Sequence, residues 1–186
     1  MTDIKTIFRD PPVLYTERLT LRKMERGDYI DMFDYARLPE VTRYLTWEPH
    51  PDKMYTMRYL SHVQSKYRCA EFYDWAIIHS GHMIGTCGFT TIDEANLCGE
   101  IGYVVSPRYH NHGIATEVVS RVIDFGFNTL GLNRIECRYM IGNDASRRVM
   151  EKVGMTYEGT LRESMYVKGR YVSVGICSIL RSEYFR

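Results

Sequence analysis

Val104-Val105-Ser106-Pro107-Arg108-Tyr109-His110-Asn111-His112-Gly113-Ile114-Ala115-Thr116-Glu117 carries more structural information than any other part of the chain. An apolar strand runs into a short loop, and a helix opens at Gly113 to Thr116. The first turn of a helix has backbone N–H groups without intrahelical acceptors, and its dipole favours an anion beside them. A phosphate reaches those donors only where side chains leave room. Gly113 supplies clearance, Ala115 is the next smallest choice, and Asn111 tolerates a left-handed backbone. Successive N–H groups in such a bend form a concave nest for oxyanions. A strand-to-helix turn with a packing glycine is the plainer alternative, and the loop taken alone leaves both open. No Gly-Lys-Ser/Thr follows the glycine and no G-x-G-x-x-G opens the helix, which excludes the nucleotide-triphosphatase and dinucleotide-fold loops.

Downstream of this loop, Ala115 to Leu130 is an amphipathic helix with Val119, Val122, Ile123 and Phe127 on one stripe. Ile135 to Met140 reads as a strand and Asp144 to Val153 as a short helix stopped by Gly154. Strands near Thr156 to Glu163 and Val172 to Leu180 flank a Lys168-Gly169 turn. Upstream, Cys98 to Val105 is a strand ended by Pro107. Before it, Trp75 to Ile78, a Ser80-Gly81-His82 turn and Met83 to Thr91 form a hairpin. A helix from Met54 to Tyr67 carries Met57, Leu60 and Val63 at helical spacing, and Trp47 to Pro51 is a loop. Asp28 is expected to cap a helix with Ile30, Met32, Phe33 and Ala36. Leu19 to Arg22 alternates as a strand, behind a short N-terminal arm. The order predicts a mixed α/β sheet with helices packed on its faces.

Residues 1–186 suit one domain, and no linker rich in Gly, Pro or Ser divides them. The net charge of +1, with signs mixed along the chain, argues against a nucleic-acid partner. Cys69, Cys87, Cys98, Cys137 and Cys177 lack paired spacing, so they are expected as reduced, mostly buried thiols, with no metal site. No segment approaches the roughly 20 apolar residues of a membrane span, so the expected location is the cytoplasm, without membrane attachment.

The stretch from Pro107 to Glu117 resembles the coenzyme A loop of the GNAT superfamily of N-acetyltransferases, Gln/Arg-x-x-Gly-x-Gly/Ala. Asn143-Asp144-Ala145-Ser146 through Glu151-Lys152-Val153-Gly154-Met155 resembles that family's second block, N-x-x-S…E-K-x-G-F. Thr16-Glu17-Arg18-Leu19-Thr20-Leu21-Arg22 resembles the opening strand of the ribosomal-protein N-acetyltransferase branch. The resemblance implies a mixed, mainly antiparallel, splayed sheet with helices on both faces. It implies acetyl-coenzyme A as co-substrate, with pantetheine entering between splayed strands beside the backbone of Tyr103, Val104 and Val105. The pyrophosphate would lie on His110, Asn111, His112, Gly113, Ile114, Ala115 and Thr116, and Asn143 and Ser146 would face the thioester. Four positions depart from the pattern. His110 stands where Gln or Arg is usual, Asn111 where glycine is common, and Ser173 near a frequent Asp. Met150 replaces a tyrosine that protonates the leaving thiolate in many relatives.

Acetyl transfer needs a neutral amine, a polarised carbonyl and a protonated leaving group. Glu100 is the candidate base: alternation puts it on a face with Cys98, Gly102 and Val104, where apolar neighbours would raise its pKa. A solvated acid on an open sheet face is the equal alternative. Ser146 is the candidate donor to the thiolate, and Asn143 joins it in the catalytic set. Simple capping explains either residue at a helix start. The acceptor is expected near Trp47, Glu48 and His50. It is a protein N-terminus or a small amine such as a polyamine or aminoglycoside. A coenzyme A-binding module without catalysis is the rival from another class, and homo-oligomer formation stays open.

Overall fold

The computed structural model describes residues 4–185. Its eight strands are β1 (Leu14–Tyr15), β2 (Thr20–Arg22), β3 (Tyr73–His79), β4 (His82–Asp93), β5 (Cys98–Val105), β6 (Arg134–Met140), β7 (Thr156–Val167) and β8 (Arg170–Leu180). They form one sheet in the order β1-β2-β3-β4-β5-β6-β8-β7. All neighbours are antiparallel except β5 and β6. A parallel pair needs a crossover, and α5 (Ile114–Asn128) supplies it. This is the mixed, mainly antiparallel α/β sheet that the element order and the resemblance lead one to expect.

Helices cover both faces, as the strand alternation of β3 shows. Trp75 and Ile77 enter one core with α5, α1 (Ile4–Arg9) and α6 (Asp144–Lys152). Ala76 and Ile78 point the other way, into a core with α2 (Tyr29–Ala36) and α4 (Lys53–Arg68). Two short helices, α3 (Pro39–Thr42) and α7 (Arg181–Tyr184), complete the set. The stripe on α5 is buried as its spacing predicts, with Val119, Val122, Ile123 and Phe127 at 0–1% exposure. On α4 the buried stripe is Thr56, Leu60, Val63 and Tyr67, while Met57 is exposed.

Several local expectations change. The N-terminal arm contains α1, whose Phe8 packs edge-on against Tyr73 and Phe125. Asp28 does not cap α2: its carboxylate turns back to Arg22 at 2.7 Å and accepts the Glu25 N–H at 2.7 Å. The β3–β4 turn is only Ser80-Gly81, both left-handed, so His82 belongs to β4. Lys168-Gly169 makes the same two-residue, left-handed turn between β7 and β8. The five cysteines are free. Cys87, Cys137 and Cys177 are buried, but Cys69 is exposed. Among the described residues, no helix is long and apolar enough to cross a membrane.

One break in the sheet positions the site. β5 and β6 pair only over Cys98–Ile101 and Arg134–Cys137. Beyond that, residues 102–105 stay with β4 and residues 138–140 stay with β8. A wedge opens between them, and the edge of β5 faces into it.

Candidate active site

The loop after β5 starts with a 3-10 turn at Pro107–Tyr109. Asn111 and Gly113 are left-handed, with φ of 63° and 77°, and flank His112. Gly113 caps α5. The first helical N–H with a backbone acceptor is that of Glu117, 3.0 Å from the Gly113 carbonyl. The N–H groups of Ile114, Ala115 and Thr116 precede it as the open donors of a helix start. A Cβ at Gly113 would meet only the Arg18 guanidinium, at 3.5 Å, an ordinary contact. The positive φ is what requires glycine.

The His110 side chain turns back towards β5. Its Nε2 lies 2.9 Å from the Val105 carbonyl and its backbone N–H donates to Pro107. The ring therefore pins the loop to the end of β5. Across the loop, Arg18 donates to the His112 carbonyl at 3.0 Å and to Glu117 Oε2 at 2.7 Å. The Thr16 hydroxyl donates to Glu117 Oε1 at 2.5 Å. Burial pushes the Glu117 carboxyl up, but Thr16 and Arg18 outweigh it, so its pKa lies below the ordinary value.

At the wedge, the side chain of Tyr103 reaches from β5 to the start of α6. Its hydroxyl donates to the Ser146 carbonyl at 3.1 Å and lies 2.8 Å from Ser146 Oγ. Burial pushes the Tyr103 phenol up, so it stays protonated. Asn143 caps α6, accepting the Ser146 N–H at 3.3 Å. Ser146 is thus held on two sides at the wedge, whereas Met150 is buried in the core at 1% exposure. Ser173 accepts the Glu163 N–H at 3.0 Å.

Glu100 does not have the apolar surroundings expected of it. The parallel register places it opposite Glu136, and like charges so placed repel. Arg138 relieves this, at 3.3 Å from Glu100 and 3.0 Å from Glu136. Arg134 continues the ladder to Glu136 and Glu158, and its charge with the Ser178 hydroxyl draws the Glu158 carboxyl down to about 2.

A family model described as an acetyltransferase (GNAT) domain matches residues 18–156. The chain belongs to the GNAT acetyltransferase family. It is 37% identical over 173 residues to an uncharacterised N-acetyltransferase, p20, of Bacillus licheniformis, covering 92% of this chain and 97% of that one. A Bacillus subtilis protein provisionally named a ribosomal N-acetyltransferase, YdaF, is 31% identical over 108 residues, 58% of this chain and 59% of its own. A spermidine N(1)-acetyltransferase of Vibrio cholerae is 23% identical over 172 residues, 90% of this chain and 95% of its own. The solved GNAT-family acetyltransferase of Bacillus anthracis superposes with a TM-score of 0.83 at 25% identity, covering 92% of this chain and all of that one. The activity of this GNAT chain is acetyl-coenzyme A-dependent N-acetylation. The left-handed loop, the open α5 donors and the free β5 edge fit the pyrophosphate and pantetheine of that co-substrate.

Of the three residues expected at the acceptor, Trp47 and His50 pack together while Glu48 is exposed. His50 is buried at 6% exposure, with Nδ1 2.9 Å from the Thr56 hydroxyl and its ring among Trp47, Tyr55 and Tyr59. Burial lowers its pKa, which favours the neutral ring. Trp47 is half-buried against it. Glu48 is exposed and lies 3.7 Å from Lys168, which donates to the Thr42 carbonyl at 2.7 Å. The β7–β8 turn is thereby tied to the segment after α3. Tyr44 stands against the β6–α6 connection, its hydroxyl 3.6 Å from where a Gly142 Cβ would lie. No motif marks Tyr44, Arg138 or the hydroxyl of Tyr103, and Lys168 is marked only as part of a turn. Arg18 lay inside a motif that was read as a strand.

Proposed function

We propose that the acceptor is a primary amine of the α-amino type, at the N-terminus of a protein, acetylated by direct attack within a ternary complex. The dispersal of the acids carries this reading. A polycationic small amine needs several unpaired carboxylates facing one pocket. Among four acids that could serve it, Glu48, Asp52, Glu94 and Glu100, the last pairs with Arg138 and Glu48 lies near Lys168. Asp52 caps α4 through the Tyr55 N–H, and Glu94 sits in the β4–β5 turn. An α-amine has a pKa near ~8 and asks little of a base, which suits a site whose carboxylate is already paired. The relative named for ribosomal acetylation favours the same acceptor, and the spermidine enzyme among the relatives keeps a polyamine as the second reading.

Acetyl-coenzyme A supplies a thioester whose acyl carbon takes the amine and whose sulfur leaves. The chain's residues do the rest. The N–H groups of residues 111–116 hold the pyrophosphate, and the β5 edge at Tyr103, Val104 and Val105 aligns the pantetheine amides. Positioning of this kind contributes on the order of 7–11 kcal/mol in ideal cases. Ser146 gives its hydroxyl proton to the departing sulfur and regains one from solvent, held in place by the Tyr103 phenol and the Asn143 cap. Glu100, which Arg138 meets at 3.3 Å, receives the amine's proton through solvent.

Mass spectrometry of acetylation tests the acceptor. Substrates are a peptide with a free N-terminus, the same peptide blocked at its α-amine but carrying a lysine, and spermidine. The free α-amine is expected to be modified fastest. Preferential acetylation of spermidine would replace this reading with the polyamine one.

A further inference from the structure

We propose that Arg18 is a positioning residue of the cofactor loop: from the β1–β2 connection it orients the His112–Gly113 peptide so that the Gly113 N–H faces the bound pyrophosphate. The inference rests on residues 110–116 being the pyrophosphate loop. In a trans peptide the C=O and N–H point in opposite directions. Arg18 NH1 draws the His112 carbonyl to itself at 3.0 Å, which sends the Gly113 N–H the other way. Without that hold, the peptide leading into left-handed Gly113 is free to rotate. Its carbonyl oxygen would then face the anion.

The same guanidinium solves a second problem. Glu117 lies in the first turn of α5, where its charge would repel a phosphate at the helix start. Arg18 meets it at 2.6 Å and through Nε at 2.7 Å, its own backbone N–H adds a contact at 3.1 Å, and Thr16 adds another. The acid becomes an anchor for Arg18 rather than a repulsive charge. Serving Glu117 and a carbonyl at once needs the planar, forked geometry of arginine, which an ammonium lacks. No residue between 18 and 112 takes part in this clasp, so it ties the N-terminal strands directly to the loop.

Calorimetric titration tests this with two probes, coenzyme A and pantetheine, which lacks the pyrophosphate. The proteins are wild type, Arg18→Ala and Arg18→Lys. The expected result is about tenfold weaker coenzyme A binding in Arg18→Ala, the worth of one charge-assisted hydrogen bond, with pantetheine binding unchanged. Arg18→Lys is expected to fall between, and it carries the test alone should Arg18→Ala fail to fold. Unchanged coenzyme A affinity overturns the proposal. So does equal weakening of both probes, which would mark Arg18 as merely structural. If wild type binds neither probe, the loop assignment itself fails, an outcome distinct from failure of the Arg18 variants alone.

Discussion

Gly113→Ala separates the two things a glycine can do at this loop. Space is not the obstacle, since the new methyl would stand 3.5 Å from the Arg18 guanidinium. The obstacle is φ of 77°, which costs an L-residue about 1–2 kcal/mol. The variant has two ways to respond. It can keep the backbone, and its melting temperature then falls by about 2–8 °C for a chain of this size. It can instead relax to negative φ, rotating the peptide planes on either side of residue 113 and turning N–H donors out of the nest. Each donor lost to a phosphate is worth about 1.5–3 kcal/mol, roughly a 10- to 150-fold rise in Kd. Thermal melts with and without coenzyme A, at about a hundredfold excess over the wild-type Kd, distinguish these responses. Wild type gains about 2.7 kcal/mol under those conditions. The variant should lose melting temperature without ligand, lose most of the ligand shift, or both. ATP and NAD should shift neither protein. A Gly113→Ala protein with wild-type melting and the full coenzyme A shift would refute the argument that this φ builds the site.

Ser146→Ala is expected to lower kcat by about a hundredfold while the KM for acetyl-coenzyme A changes little, since proton donation acts in the transition state. Tyr103→Phe, which removes the hydroxyl 2.8 Å from Ser146 Oγ, should lower kcat by less; unchanged kcat in Ser146→Ala would remove serine from the mechanism. Asp74 supplies a pH-dependent stability test. Burial pushes its carboxyl from 3.8 up to about 7, against the pull of Thr86 and the Trp75 N–H. A folded pKa above the unfolded one means that the stability tied to this group is complete below pH 3.8 and lost as pH rises through 7. Asp74→Asn should therefore melt above wild type at pH 8, with the gap closing towards pH 4. A gap that does not change with pH would show that Asp74 does not titrate as described.

What could be read from the chain was local. The α5 stripe, the Lys168-Gly169 turn, the place though not the length of the Ser80-Gly81-His82 turn, and the strand-loop-helix at residues 104–117 follow from periodicity and turn chemistry within a few residues of each other. What could not be read was the partner of each charge. Alternation gave the face of Glu100 correctly. It could not place Glu136 opposite, because that register is set by a crossover through α5. Asp28 had the spacing of a cap and took Arg22 instead. His50 looked like a polar loop residue until the aromatic rings of α4 closed around it. Arg18 and Glu117 are 99 positions apart, and no period links them. These long-range pairings bear directly on function. Three of the carboxylates that would make an acidic acceptor pocket, Glu100, Glu48 and Asp52, are instead met by Arg138, Lys168 and the start of α4. A sequence shows which acids a chain owns. Only the fold shows which remain free to attract a polycation, and that difference is what favours the proposed acceptor with a single weakly basic α-amine.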